Sequence, residues 1–233
     1  MPTIQGPGEG TPDDEKLLSR ATWTVALIIS LQVLFARIPL QSESKRRWQH
    51  MITCHILVQV TYFIPRYVCR LLLIFGVLLI FSALQLAPQY VYQQFGSMMR
   101  PAELPDKNGI VKQYPGSLHV LIGILLTEVC VQDLQIGRYA VECLAICDPM
   151  ASWIGQSIPS RKLAPGTSIS GVLACFLSSI LLGYIMLDQE DQDTTIRIWM
   201  GASVCTFAEA LTIVNDNISI PLATGLVVEF LTK

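Results

Sequence analysis

Long apolar runs decide what this chain can fold into. They fall at about 21–38, 51–67, 70–88, 117–136, 137–156, 170–187, 196–214 and 217–232. Each is close to the ~20 residues that a helix needs to cross the hydrocarbon core of a bilayer. Only 15% of the 233 residues are charged, against about 25% in soluble domains. Because lipid offers the backbone no hydrogen-bond partners, segments of this length favour helices. The sequence therefore predicts an all-α, polytopic membrane bundle of about eight transmembrane helices, with about seven or nine as alternatives.

The N-terminal segment is different in composition. "MPTIQGPGEGTPDDEK" is rich in Gly, Pro and acidic residues and resembles neither a signal peptide nor a transit peptide. We expect residues 1–20 to be a disordered tail and residues 21–233 to form a single transmembrane domain. The absence of a transit-like segment favours the endoplasmic reticulum in a eukaryotic source, with a plastid membrane as the alternative.

Charged residues predict the orientation in the membrane. Loops 39–50, 88–116 and 156–169 carry the basic residues, whereas the loop "DQEDQDTT" at 188–195 is acidic. By the positive-inside rule, the basic loops face the cytoplasm or its equivalent, together with the polar turn Asn215–Asn217, and both termini face away. A net charge of −2 without a basic aromatic patch argues against a nucleic-acid partner.

The second apolar run begins with "SKRRWQHMITCH". His50 follows Arg46 and Arg47 by about one helical turn, so that the three side chains can share a face. Arginines at a helix start can hold phosphates in a bidentate manner. A simple positive-inside anchor is the competing interpretation.

The fifth run contains a carboxylate within "ECLAICDPMASWIGQ". Asp148 is followed directly by Pro149, which suggests a helix start that Asp148 caps or at which it holds a cation. A carboxylate at membrane depth is costly and indicates function. The small residues Ala151, Ser152 and Gly155 favour close packing of helices.

The segment "SRKLAPGTSISG" places Arg161 and Lys162 before a turn that opens a helix. Backbone amides at a helix start, together with cations, favour phosphate binding. A plain loop with Ser168 or Ser170 as N-cap is the competing interpretation.

The end of the seventh run and the turn after it supply further oxygen ligands. Glu209 precedes Asp216 by two helical turns, so that both could face one pocket, and Asn217 follows. Together with Asp148, these residues offer hard oxygen ligands suited to Mg²⁺. A polar turn with an Asx cap is the alternative for the NDN sequence.

Seven cysteines are scattered through the apolar runs without a CxxC pair, so the sequence indicates neither a zinc site nor a redox motif. Cys143 and Cys147 would share a helix face. We expect buried free thiols.

These motifs, in this order, resemble the CTP-dependent lipid-alcohol kinases, which include dolichol kinase, phytol and farnesol kinase, and CTP-using diacylglycerol kinase; the similarity covers roughly residues 44–225. The Arg-Lys-x-x-His element of that family is matched by Arg46, Arg47 and His50, and its Arg-Glu and glycine element by Arg100, Glu103, Gly116 and Gly123. Its Gly-Asp-x-x-Ala-x-x-x-Gly element is matched by Asp148, Ala151 and Gly155, with Cys147 in the place of the first Gly.

Two further elements complete the resemblance. In the Gly-Lys-Ser-x-Glu-Gly element, Gly166, Ser168 and Gly171 match, and Thr167 and Ser170 replace the Lys and Glu. In the last element, a Glu followed by Asp-Asp-Asn-x-x-x-Pro, the matches are Glu209, Asp216, Asn217 and Pro221, and Asn215 replaces the first Asp.

The resemblance implies transfer of a phosphoryl group from CTP to a lipid alcohol with Mg²⁺. Asp148, Glu209, Asp216 and Asn217 would be the metal ligands, and His50, Asp148 and Asp216 the catalytic residues. Arg46, Arg47, Arg161, Lys162, Ser168 and Gly171 would hold the nucleotide. The sequence does not indicate which alcohol is the substrate, and it identifies no protein partner. A catalytically inactive family member serving in assembly or regulation, and an ion-coupled transporter using Glu128, Asp133, Glu142 and Asp148, are the two alternatives.

Overall fold

The computed structural model describes residues 12–38, 42–96, 99, 104, 114–164, 166–188, 193–211 and 215–231. Several features of the sequence analysis lie outside this part of the chain. They are residues 1–11 of the expected tail, and Arg100, Glu103, Lys107 and Lys112 of the expected loop 88–116.

The described residues are almost entirely helical, so the predicted all-α class is confirmed. The α-helices, in chain order, are α1 Pro12–Arg37, α2 Ser42–Val60, α3 Arg66–Leu86, α4 Pro88–Phe95, α5 Gly116–Cys130, α6 Leu134–Glu142, α7 Asp148–Ser157, α8 Ile169–Met186, α9 Thr194–Ala210 and α10 Asp216–Phe230. A π-helical turn, Cys143–Cys147, joins α6 to α7. Two short antiparallel strands, β1 Lys162–Ala164 and β2 Thr167–Ser168, form a hairpin before α8.

Two helices in the described part of the chain are long and apolar enough to cross a membrane, α3 and α8. Their outer faces carry exposed leucines, such as Leu78 and Leu79 on α3, and Leu173, Leu177 and Leu181 at successive turns of α8. Only 17% of the apolar window of α3 and 28% of that of α8 are buried. Both helices therefore keep most of their apolar surface outside the core.

Several predicted boundaries are wrong. Helix α1 begins at Pro12, so residues 12–20 are helical rather than part of a disordered tail. Helix α2 begins at Ser42, and the basic cluster at 45–47 lies on its first turns instead of in a loop. A short helix, α4, occupies the start of the expected loop 88–116. These helices begin in polar and proline-containing segments, where an apolar periodicity is absent and so does not indicate them.

The core of the bundle surrounds α10. This helix packs against α9, α5 and α6, while α8 packs against α7 and α9. Among the fully buried side chains are Tyr139, Leu144, Ile198, Ile220 and Val228. Two elements that carry polar motif residues, α10 and the run from α6 to α7, thus lie inside the bundle.

The π-helical turn has an identifiable cause in the sequence. Pro149 has no backbone N–H, and its ring would clash with the carbonyl of Ala145 in a regular α-helix. In a π-helix the carbonyl of residue i pairs with the N–H five residues on, so the partner of Leu144 would be Pro149. That carbonyl therefore needs another donor, and it receives one from α2, as described below.

Candidate active site

Three of the predicted metal ligands meet at one point. Asp148 at the start of α7, Glu209 at the end of α9 and Asp216 at the start of α10 each offer a carboxylate oxygen, and these oxygens all lie within 4.8 Å of one another. Two oxygens bound to one Mg²⁺ at about 2.1 Å are at most about 4.2 Å apart. Small side-chain adjustments would therefore bring the three carboxylates to a single ion.

Glu209 and Asp216 do not meet for the reason the sequence suggested. The spacing of seven residues predicts two carboxylates two helical turns apart that face one pocket. Instead α9 ends at Ala210 and α10 begins at Asp216, and residues 212–214 lie outside the described part of the chain. The two carboxylates are neighbours because the end of α9 lies next to the start of α10.

The NDN turn opens α10. Asn215 is its N-cap, with a side chain that accepts a hydrogen bond from the Asn217 N–H at 3.1 Å, so the Asx cap is present. Asp216 points into the acidic cluster, and the Asn217 side chain is 4% exposed. The Asn217 Oδ1 atom is buried without a hydrogen-bond partner among the described residues. An amide oxygen in this state is available to a ligand that binds there.

Gly123 on α5 allows α10 to approach. A Cβ atom at this position would lie 2.1 Å from the Asn217 carbonyl oxygen. Real Cβ atoms do not come so close to a backbone oxygen, so only glycine fits. Gly123 therefore fixes the depth of the NDN turn in the bundle.

His50 reaches the same place from α2. Its Nε2 lies 3.1 Å from the Leu144 carbonyl oxygen, the one left without a partner by Pro149. A carbonyl only accepts hydrogen bonds, so Nε2 carries the hydrogen in this arrangement. The same atom is 3.8 Å from Asp148 Oδ2.

The expectation that Asp148 caps a helix start is wrong. Asp148 continues directly from the π-helical turn with a helical backbone. Its side chain is 13% exposed and faces His50 and the acidic cluster.

Arg46 and Arg47 both bind Glu43 on their own helix, at 2.9 and 3.2 Å. Burial lowers the pKa of the Arg46 guanidinium, but its hydrogen bond to Glu43 and the charges of Glu43, Asp148 and Asp216 together raise that pKa above its usual value. Arg46 thus lies within electrostatic reach of the acidic cluster. Arg47 is buried.

An apolar cavity of about 430 Å³ adjoins these residues. Helices α1, α2, α3 and α5 supply most of its wall, including Leu57, Leu73 and Val120. Arg46, Gln49, His50 and Asn217 are among its polar lining residues. Along α5 the lining runs from Gly116 to Glu128, a rise of about 18 Å.

The residues of the hairpin segment and of the first turn of α8 divide into two groups. Arg161 and Lys162 are exposed. Ser168 is buried and is the N-cap of α8, where it accepts the Gly171 N–H at 3.3 Å and donates to the Gly155 carbonyl. Gly171 packs so closely on α7 that a Cβ atom would lie 2.7 Å from the Ala151 carbonyl oxygen. Ser168 and Gly171 therefore have packing roles, and the exposed Arg161 and Lys162 are the better candidates for a nucleotide contact.

The other carboxylates in apolar runs make structural contacts. Glu128 accepts a hydrogen bond from Arg66 at 2.9 Å, and Asp133 caps α6. Glu142 lies 2.6 Å from His55 Nδ1. These contacts stabilise helix ends and helix pairs, which weakens the transporter alternative.

A second cluster is formed by thiols, and little in the sequence indicates it. Cys143, Cys147 and Cys205 have Sγ atoms within 4.8 Å of one another, and Cys175 Sγ lies 3.8 Å from that of Cys205. All four residues are completely buried. Only the spacing of Cys143 and Cys147 indicated a shared face, since the other two cysteines come from distant helices.

Comparison with known proteins gives no match: no family model, curated protein or solved structure is significantly similar to this chain.

Proposed function

We propose that this protein is a membrane-embedded lipid kinase that transfers the terminal phosphoryl group of a nucleotide, CTP by resemblance, to a lipid alcohol. The observation that carries the proposal is the meeting of Asp148, Glu209 and Asp216 beside a cavity whose wall is mostly apolar and which Arg46, His50 and Asn217 line on the side of the cluster. A lipid alcohol has the matching shape, with an apolar tail and one polar end.

Membrane insertion is part of the proposal. The exposed leucine faces of α3 and α8 suit lipid, since a soluble protein rarely leaves so much apolar surface in contact with water. The other helices would complete a bundle of about eight spans. The alcohol would enter from the bilayer between helices.

The metal-ion part rests on the donor set. Three carboxylates and the buried Asn217 Oδ1 are hard oxygen donors. Mg²⁺ bound here would neutralise the phosphate charges of the nucleotide. Arg46 adds a positive charge next to the site, and the exposed Arg161 and Lys162 could bind the nucleotide from the solvent side.

The reaction requires little covalent chemistry from the protein. The lipid hydroxyl oxygen attacks the γ-phosphorus, the bond to the bridging oxygen breaks, and CDP leaves. The hydroxyl proton must pass to a base within hydrogen-bond reach. We assign this role to a carboxylate of the cluster, because the Nε2 of His50 already holds its hydrogen against the Leu144 carbonyl oxygen. His50 is then a positioning residue for Asp148 and the π-helical turn.

The test is nucleotide-dependent lipid phosphorylation by the full chain in membranes. CTP or ATP labelled on the terminal phosphate is supplied with Mg²⁺, and dolichol, phytol, farnesol and diacylglycerol are offered separately. We expect label in one alcohol, and a loss of at least about a hundredfold in Asp216→Asn, since a metal ligand and its charge are removed. Asp133→Asn is the control, because Asp133 caps α6 away from the cluster.

A catalytically inactive relative is the second candidate. It is favoured by Ser170 in the first turn of α8, which stands in the place of the family's Glu and whose Oγ lies 2.8 Å from the Ser160 Oγ. This candidate predicts no label in any alcohol from folded protein, and equal behaviour of the Asp216→Asn and Asp133→Asn variants.

A further inference from the structure

The four-thiol cluster lies in the middle of the bundle and has no part in the proposed reaction. Cys143 and Cys147 are the first and last residues of the π-helical turn, Cys175 is on α8, and Cys205 is on α9. Three separate segments thus send a thiol to the same point.

The contacts within the cluster are extensive. The Sγ atoms of Cys143, Cys147 and Cys205 lie within 4.8 Å of one another. The Sγ atom of Cys175 lies 3.8 Å from that of Cys205. Four sulfurs bound to a tetrahedral Zn²⁺ at ~2.3 Å lie about 3.8 Å apart. The separation of the Cys175 and Cys205 sulfurs has this value and is too long for a disulfide, whose sulfurs are about 2.05 Å apart. The other three sulfurs are close enough for small side-chain adjustments to bring all four to one ion.

The spacing along the chain also suits a metal. Two ligands four residues apart on one helical face are a common way to bind zinc, as in the HExxH motif. Cys143 and Cys147 have this separation. Hydroxyls surround the first of them: Ser179 Oγ lies 3.2 Å from Cys143 Sγ and 2.9 Å from the Tyr139 hydroxyl. Hydroxyls in these positions donate hydrogen bonds to a metal ligand and so stabilise its thiolate form.

We propose that Cys143, Cys147, Cys175 and Cys205 form a binding site for one thiophilic metal ion, for which Zn²⁺ has the fitting geometry. Binding forms metal–sulfur bonds and releases thiol protons to the solvent, with no change in oxidation state. Release of two protons leaves Zn²⁺ and its ligands neutral overall, which a buried site favours.

The site would connect the elements that carry the acidic cluster. Cys147 directly precedes Asp148, and Cys205 lies one helical turn before Glu209. A metal ion shared by these thiols would fix the distance between α7 and α9, and with it the distance between the two carboxylates. The role is structural, and it holds whether or not the protein is a kinase.

The experiment measures metal content in the purified full-length protein. Zinc, copper and magnesium are determined by mass spectrometry after size-exclusion chromatography in metal-free buffer. We expect about one zinc per chain in the wild type, and about tenfold less in Cys175→Ala and in Cys205→Ala. Cys69→Ala is the matched control, since Cys69 is buried but lies in a different cluster.

Further measurements cover the remaining outcomes. If the alanine variants do not fold, Co²⁺ is added to the wild type, and thiolate-to-cobalt charge-transfer absorption supports the site. Asp148→Asn must retain the ion. Copper at one per chain, lost in the same two variants, supports the thiolate site and identifies copper as its ion. Wild-type protein without zinc, copper or a cobalt–thiolate band overturns the proposal, as does an ion lost in Asp148→Asn and kept in the cysteine variants.

Discussion

At the scale of single residues, the acidic cluster depends on a glycine that touches no carboxylate. Gly123 lets the Asn217 carbonyl lie where any side chain would clash. The position of Asp216, one residue earlier, follows from this contact. A residue with no chemistry of its own thus determines where a proposed ligand lies.

We expect Gly123→Ala to lower the thermal stability of the protein and to abolish any activity of the cluster. The added methyl group meets backbone rather than a flexible side chain, so α5 and α10 must separate. Overpacking of this kind costs about 1–3 kcal/mol, or more where backbone must move. The measurement is the melting temperature in detergent, together with the phosphorylation assay.

The control for this variant is Gly137→Ala on α6. The nearest atom to an added Cβ there is 3.9 Å away, which is ordinary contact. Alanine also favours the helical state by about 0.5–1 kcal/mol relative to glycine. A Gly123→Ala variant as stable as Gly137→Ala would contradict the predicted clash.

Much of the candidate site could be predicted at this scale, because polar side chains in apolar runs stand out. Asp148, Glu209 and Asp216 were identified from this signal, and they lie together. The roles of Ser168 and Gly171 could be stated only as alternatives, since capping and nucleotide binding favour the same residue types at a helix start. The thiol cluster could not be predicted, because it forms through the tertiary packing of three segments and has almost no local pattern in the sequence.

At the scale of elements, one hydrogen bond joins the π-helical turn to α2. Pro149 removes the donor that Leu144 needs, and His50 on α2 replaces it. Proline after a carboxylate suggested a helix start, but an isolated sequence does not distinguish a first turn from a π-helical bulge. Tertiary packing around the turn, which includes the hydrogen bond from α2, favours the π-helical bulge.

Because His50 replaces the donor that Pro149 lacks, we expect the effects of substitutions at these two residues to be coupled. His50→Leu should lower the free energy of unfolding by about 1–3 kcal/mol, because a buried carbonyl loses its donor. In a Pro149→Ala background the new N–H can pair with the Leu144 carbonyl. The cost of His50→Leu should therefore fall by about 1 kcal/mol there.

The double-mutant cycle is measured by reversible denaturation in mixed micelles. His119→Leu serves as the control, since His119 contacts only the Pro115 carbonyl of its own helix start among the hydrogen bonds described for it. Strictly additive costs for His50→Leu and Pro149→Ala would mean that the two residues do not share the carbonyl.

At the scale of the whole molecule, the ends of α8 define two surfaces. The helix has 18 residues, or about 27 Å of length. The basic hairpin with Lys162 precedes it, and Asp188 follows it.

The helical class and the two strongly apolar helices could be predicted from hydropathy alone. The bounds of the other helices could not, because short polar helices such as α4 lack an apolar signal.

If α8 crosses the bilayer, single cysteines at its two ends should react from opposite sides. We expect Lys162→Cys to be labelled by an impermeant maleimide only from the cytoplasmic side of sealed vesicles, and Asp188→Cys only from the other side. The background is Cys130→Ser, since Cys130 is exposed. Labelling of both positions from one side would rule out a membrane-spanning α8.

The π-helical turn also bears on how the length of the chain can change. A π-helical turn holds one residue more than an α-helical segment in the same place. Deleting a single residue between Glu142 and Asp148, together with Pro149→Ala, would therefore let α6 continue into α7 as regular α-helix and leave Asp148 facing Glu209 and Asp216. The same deletion in the middle of α9 would instead rotate Glu209 by about 100° away from the cluster. The extra residue of the turn is thus a position at which the chain can shorten while the site keeps its arrangement.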